Sequence, residues 1–101
     1  MATVIVRYQV KTDKADENIA YIEAVFDALR RSAPDGIRYL SMVAEDGVSF
    51  THIASVETSD GSNPLPELPE FQAFVADIAE RCEVPPAALS QTVVGAYRVF
   101  D

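Results

Sequence analysis

Tryptophan is absent from these 101 residues, and cysteine and histidine occur once each, as Cys82 and His52. A lone cysteine excludes an intrachain disulfide, so the chain carries no sign of an oxidising compartment. One histidine and one cysteine without paired spacing cannot build a usual zinc site, and no acidic run matches a calcium loop, so no metal is expected. Basic residues are few: eight Lys and Arg stand against sixteen Asp and Glu, for a formal charge of −8. Such a surface repels phosphate backbones and anionic lipid, which argues against nucleic acid and membrane as partners. The longest apolar runs fall well short of the roughly 20 residues of a membrane helix. No basic stretch with a following apolar core opens the chain, so no signal peptide is expected and the cytoplasm is the expected compartment. The four glycines are scattered, which leaves no phosphate-cradling loop. Ser32, Ser41 and Ser90 lie in no nucleophile elbow.

What is present is a hydrophobic fraction of 49%, enough for a packed core, in a chain of one-domain length. One domain over residues 1–101 is expected. Thr3 to Lys11 alternates, with Val4, Val6, Tyr8 and Val10 on one side and Ile5, Arg7, Gln9 and Lys11 on the other, as in a strand. Ile19, Ile22, Val25, Phe26 and Leu29 then recur at helical spacing. Asp13 or Asp16 is placed to cap this helix, and Pro34-Asp35-Gly36 to end it. Ile37–Ala44 and Val48–Glu57 read as strands joined by the hairpin signal Asp46-Gly47. Residues 58–66 form a loop, and a second helix starts near Pro66 to Pro69. Its stripe runs Leu68, Phe71, Phe74, Val75, Ile78 and Cys82, with Cys82 as a core or half-buried thiol, and Pro85-Pro86 ends it. Gln91–Phe100 alternates again and is expected to be the last strand.

The order β-α-β-β-α-β implies an α+β, ferredoxin-like fold, a four-stranded antiparallel sheet with two helices on one face. Ile5, Leu40, Met42, Ile53, Val94 and Phe100 are expected on the other face. That much apolar surface calls for a second copy of the chain, and so for a homodimer.

Around Ala54-Ser55-Val56-Glu57, and then Leu68-Pro69-Glu70-Phe71-Gln72-Ala73-Phe74, the chain resembles the dimeric α/β-barrel superfamily, and within it the antibiotic biosynthesis monooxygenase-like group. That group often shows an acidic strand end followed by a helix entered through a Ser-Pro-x-Phe-like segment. The resemblance implies a two-subunit barrel with a pocket in each subunit between sheet and helices. Its members include cofactorless oxygenases of aromatic polyketides and haem-degrading enzymes. It implies no cofactor here. The tryptophan common after the third strand in the family's oxygenases is absent, and Pro69-Glu70-Phe71 stands where a histidine often follows.

Two constellations could carry chemistry. If Val4 and Val6 lie under the helices, Tyr8, His52 and Tyr97 share their layer, joined by Tyr39 if the second strand has Ile37, Tyr39 and Val43 inward. Three phenols and an imidazole in an apolar pocket suit a flat aromatic ligand, with His52 as acceptor of a phenol or enol proton. On the opposite face Arg7, Arg38 and Arg98 line up with Glu57, either around an anionic ligand or as ion pairs. Three functions fit this sequence: a cofactor-independent, monooxygenase-like enzyme using Tyr8, His52 and Tyr97, a non-catalytic binder of a small aromatic molecule, and a structural dimerisation domain.

Overall fold

The alternation in the first strand holds over β1 (Ala2–Val10), in a computed structural model that describes residues 2–99. A short 3-10 turn at Thr12–Lys14 leads into α1 (Ala15–Ser32). Neither Asp13 nor Asp16 caps this helix: Lys14 occupies the N-cap without a side-chain bond, and Asp16 and Glu17 fall in the first turn instead. There their charge favours the helix N-terminus as it would have at the cap. The helix ends on Ala33 in the left-handed region, whose N–H donates to Leu29 O at 2.8 Å. Gly36 follows with φ +79°, where an added side chain would collide with Thr58, so the sharp entry into the next strand depends on its missing Cβ.

β2 (Ile37–Val43) and β3 (Ser49–Val56) form the expected hairpin. Asp46 organises its turn by accepting from the Val48 and Ser49 N–H groups at 2.9 Å each. A 3-10 turn at Leu65–Glu67 precedes α2 (Pro69–Ala76), which starts on proline at its first position. The second helix then departs from expectation. It breaks at Asp77, resumes for one turn as α3 (Ile78–Arg81), and gives way to β4 (Cys82–Gln91). Half-buried Cys82 opens this strand and does not close a helix.

The sheet order is β2-β3-β1-β4, antiparallel at every pairing, which is the ferredoxin-like arrangement. The expected last strand is therefore displaced by about nine residues. Pro85 and Pro86 end no helix. They sit in an edge strand, where a proline is tolerated when its nitrogen faces away from the neighbouring strand or falls in a bulge. Arg7 pairs with Ala87 and Gln9 with Val84, so both prolines face the single residue Tyr8 across a bulge. Gln91 pairs with Thr3, almost at the start of β1. No length of β1 remains for residues 92–99, and they form no strand. Val94 is accordingly fully exposed beyond the strand and not on the sheet's outer face. Phe100, assigned to that face from the sequence, lies outside the described residues.

The core lies between the sheet and the helices: Tyr8, Val10 and Phe50 from the strands meet Val25 of α1, Leu65 of the turn and Phe74 of α2.

Candidate functional site

Ladder register decides what meets His52. On β3 it stands directly across from Val6 of β1 and Ser41 of β2, with Tyr8 and Tyr39 on the diagonals. All face the helices, because residues at even spacing on paired strands share a face. Tyr8 Oη lies 2.7 Å from His52 Nε2. Tyr39 Oη and Ser41 Oγ lie 2.8 and 2.7 Å from Nδ1. The rings of Tyr8 and Tyr39 stack on the imidazole with centroids 5.3 and 5.8 Å away. His52 is only 4% exposed. Burial penalises the imidazolium and pushes the pKa of His52 down to about 4, so the ring is neutral at pH 7. The same cause pushes Tyr39 up to about 12 and Tyr8 well above the usual phenol range.

Two further polar residues complete this cluster, and neither was expected from the sequence. Asn18 of α1 is fully buried and its Nδ2 donates to Tyr8 Oη at 2.9 Å. Arg81, at the end of α3 and 2% exposed, donates from Nε to Asn18 Oδ1 at 3.2 Å and from Nη2 to the Phe74 carbonyl at 2.6 Å. Its guanidinium lies over the Tyr21 ring, 4.5 Å from the centroid. A signal for both was present. Asn18 precedes Ile22 and Val25 by four and seven positions, and Arg81 follows Phe74 and Ile78 by seven and three. Each polar residue thus sits on an apolar helical stripe, where burial requires a partner.

Beside the cluster is a pocket of about 320 Å³, at the lower end of the range for ligand sites. Val4, Val6, Ala54 and Val56 form its floor, and Leu65, Phe71, Phe74 and Ile78 its roof. Tyr8, Tyr39 and His52 make its polar end, and among the described residues no Lys, Arg, Asp or Glu lines it. Exposed Ala2, Asn63, Val75 and Pro86 mark its mouth.

Tyr97 is not part of this site. It lies past β4 and is 82% exposed, because the strand that would have carried it inward ends at Gln91. Arg7 and Arg98 are not ladder neighbours either. The residue across from Arg7 on β4 is Ala87, and Arg98 lies in the segment after the strand. Arg38 does meet Glu57, with Nε 2.9 Å from Oε1. Among the described residues no group of three or more His, Cys, Asp and Glu is placed to hold a metal ion. No helix among them is long and apolar enough to cross a membrane.

The fold has close counterparts among solved structures. Rv0793 from Mycobacterium tuberculosis superposes with a TM-score of 0.75 at 20% identity, over 94% of this chain and 96% of that one. An antibiotic biosynthesis monooxygenase gives 0.75 at 14% identity, over 94% and 100%. SnoaB, a cofactor-independent oxygenase from Streptomyces nogalater, gives 0.69 at 15% identity over 96% of each chain. No family model matches the sequence, and no curated protein matches it either. The chain has the antibiotic biosynthesis monooxygenase-like fold, and at these identities the likeness is one of fold.

Proposed function

We propose that the chain holds a small, flat aromatic molecule, of phenolic or polyketide-like type, between sheet and helices, and that dioxygen-dependent oxidation without a cofactor is the reaction it serves. The observation that carries this reading is the uncharged pocket of about 320 Å³ with Tyr8, Tyr39 and His52 gathered at one end. An apolar body is desolvated along the walls, while Tyr8, His52 and Tyr39 orient one oxygen. A fold shared with a cofactor-independent oxygenase supports the choice of reaction. The neutral His52 is a weak base, since burial holds its pKa near 4. It is reached through the Tyr8 hydroxyl, 2.7 Å from Nε2, which can take a substrate proton as it passes its own to the ring, and so it serves substrates that surrender a proton easily, phenols and enols with extended conjugation. The test is oxygen uptake with hydroxylated naphthalenes and anthrones, alongside ligand titration. Wild-type uptake that falls at least roughly a hundredfold in His52→Ala, the scale of general acid–base catalysis, supports an enzyme. Saturable binding without uptake leaves a carrier or sensor, and absence of both ends the reading.

A second reading concerns the outer face, and the two are compatible. Ile5, Leu40, Met42, Ile53 and Leu89 share the side away from the helices. Leu40, Met42 and Leu89 are more than two-fifths exposed. A second copy, sheet against sheet, would cover the patch. Sedimentation equilibrium tests this homodimer, and a monomer at micromolar concentration would remove it.

A further inference from the structure

Hydrogen bonds around His52 have a direction, and that direction is set from outside the pocket. Guanidinium is a donor only, so the Arg81 Nε–H, 3.2 Å from Asn18, must face the amide oxygen. The amide is thereby oriented with Nδ2 towards Tyr8 Oη at 2.9 Å. Tyr8 Oη accepts that proton and has one of its own to give, and His52 Nε2 stands 2.7 Å away as acceptor. A neutral imidazole that accepts at Nε2 carries its proton on Nδ1. Nδ1–H then donates to Ser41 Oγ or Tyr39 Oη, at 2.7 and 2.8 Å, and neither hydroxyl can give its own proton to the ring; Ser41 and Tyr39 also bond each other, with the Ser41 hydroxyl as donor, which leaves the Tyr39 proton unused by either neighbour. Tyr39 lines the pocket and Ser41 does not.

We infer that Arg81 and Asn18 are positioning residues that leave the phenol proton of Tyr39 for a ligand, so that the pocket selects an uncharged molecule bearing a carbonyl acceptor, a ketone or quinone. Carboxylates and phosphates are excluded, because no cation reaches the pocket to offset their desolvation. The ligand half of this inference rests on the pocket being a binding site, whereas the proton order does not.

The proton order is measurable in the ligand-free protein. The chain has a single histidine, so the imidazole 15N resonances need no assignment to a residue. At neutral pH the wild type is expected to show the Nδ1–H form. Asn18→Asp keeps the shape and a partner for Arg81 but turns the donor facing Tyr8 into an acceptor. Tyr8 then donates to Asp, accepts from His52, and the ring switches to Nε2–H. Nε2–H in the wild type, or Nδ1–H retained in a folded Asn18→Asp protein, overturns the inference whatever binds. For the ligand half, 1-tetralone is compared with tetralin, the same ring system without the carbonyl. Tyr39→Phe is expected to lower the preference for the ketone roughly three- to tenfold, the loss of one neutral hydrogen bond, with tetralin binding little changed. An unchanged preference overturns the assignment of the donor to Tyr39. If neither compound binds the wild type, the pocket reading fails, and the tautomer still decides the relay.

Discussion

The two faces of this sheet are built from alternating residues of the same strands and have opposite characters. Val6 and His52 look towards the helices, while their neighbours Ile5 and Ile53 look away. On the helix side the polar atoms are few, buried and mutually satisfied, and among the described residues no buried side-chain nitrogen or oxygen lacks a partner. On the other side Leu40, Met42 and Leu89 remain open beside Arg7 and the Arg38–Glu57 pair. The inner face spends burial on a polar cluster, which is stable only while every member is bonded. The outer face keeps its apolar area in reserve for an association. One face can therefore be disturbed by a proton, and the other chiefly by a change of partner.

The largest expected effect belongs to the inner face. His52 has a folded-state pKa of about 4, below the ordinary histidine value of 6.5. The unfolded chain therefore binds the proton more tightly, and between these values it holds more protons than the native state. Stability is present in full above pH 6.5 and is lost as pH falls towards 4, at up to about 1.4 kcal/mol per pH unit and on the order of 3 kcal/mol in all. The depressed carboxyls of Asp46, Asp60 and Glu70 act in a different window. Their contribution is lost as pH falls below the ordinary carboxyl range, so the slope above it belongs to the imidazole. Urea unfolding across pH 4 to 7 is expected to show the decline, and His52→Gln to flatten it. A decline that persists in His52→Gln would assign it to another group.

How much of this was legible before the structure depends on whether a signal was local. Alternation placed Tyr8 and His52 on one face, since each lies in a strand whose period is clear, and Asp46-Gly47 located the hairpin, whereas Tyr39 joined them only on the condition that Ile37, Tyr39 and Val43 point inward, because Leu40 and Met42 blur the period of that strand. The last strand was misplaced because periodicity says which segments are able to form strands and not which one finds a partner. Gln91–Phe100 alternates better than Cys82–Gln91, which contains two prolines. Pairing is decided by the reach of the chain: the Lys11 N–H bonds the Arg81 carbonyl at 2.8 Å, which brings residue 82 beside the end of β1. Tyr97 and Arg98 were displaced from the site with that strand. Asn18 and Arg81 escaped notice for the complementary reason, that a polar residue on an apolar stripe declares its burial but not its partner.

The outer face supplies the next, smaller effect. Ile53 is half-buried among Ile5 and Leu40, and a lysine there can extend to water in a lone chain. In the proposed dimer the same charge would be trapped between two sheets. Ile53→Lys is expected to raise the dimer dissociation constant roughly thirtyfold, about 2 kcal/mol. Monomer stability should stay within about 0.5 kcal/mol, as for surface substitutions. Sedimentation equilibrium reads the first and urea unfolding at low concentration the second. A variant that associates like the wild type would mean that the apolar patch is not the interface.

The smallest effect separates the two faces most cleanly, because it asks what an ion pair is worth away from the core. Arg38 and Glu57 meet at 2.9 Å with side chains 35% and 28% exposed, so water already solvates much of both charges. Exposed pairs of this kind contribute about 0.2–1 kcal/mol, and a double-mutant cycle isolates the coupling from the loss of each side chain's packing. With Arg38→Gln and Glu57→Gln the coupling is expected to be below about 1 kcal/mol at low salt and to shrink at 1 M salt, where the Debye length is about 3 Å. A coupling well above that, insensitive to salt, would mean that the pair is shielded in solution. The open chain leaves it partly wet, so the shield would have to be a second sheet lying over the outer face. The same cycle repeated with Ile53→Lys present would then bring the coupling back to the exposed value.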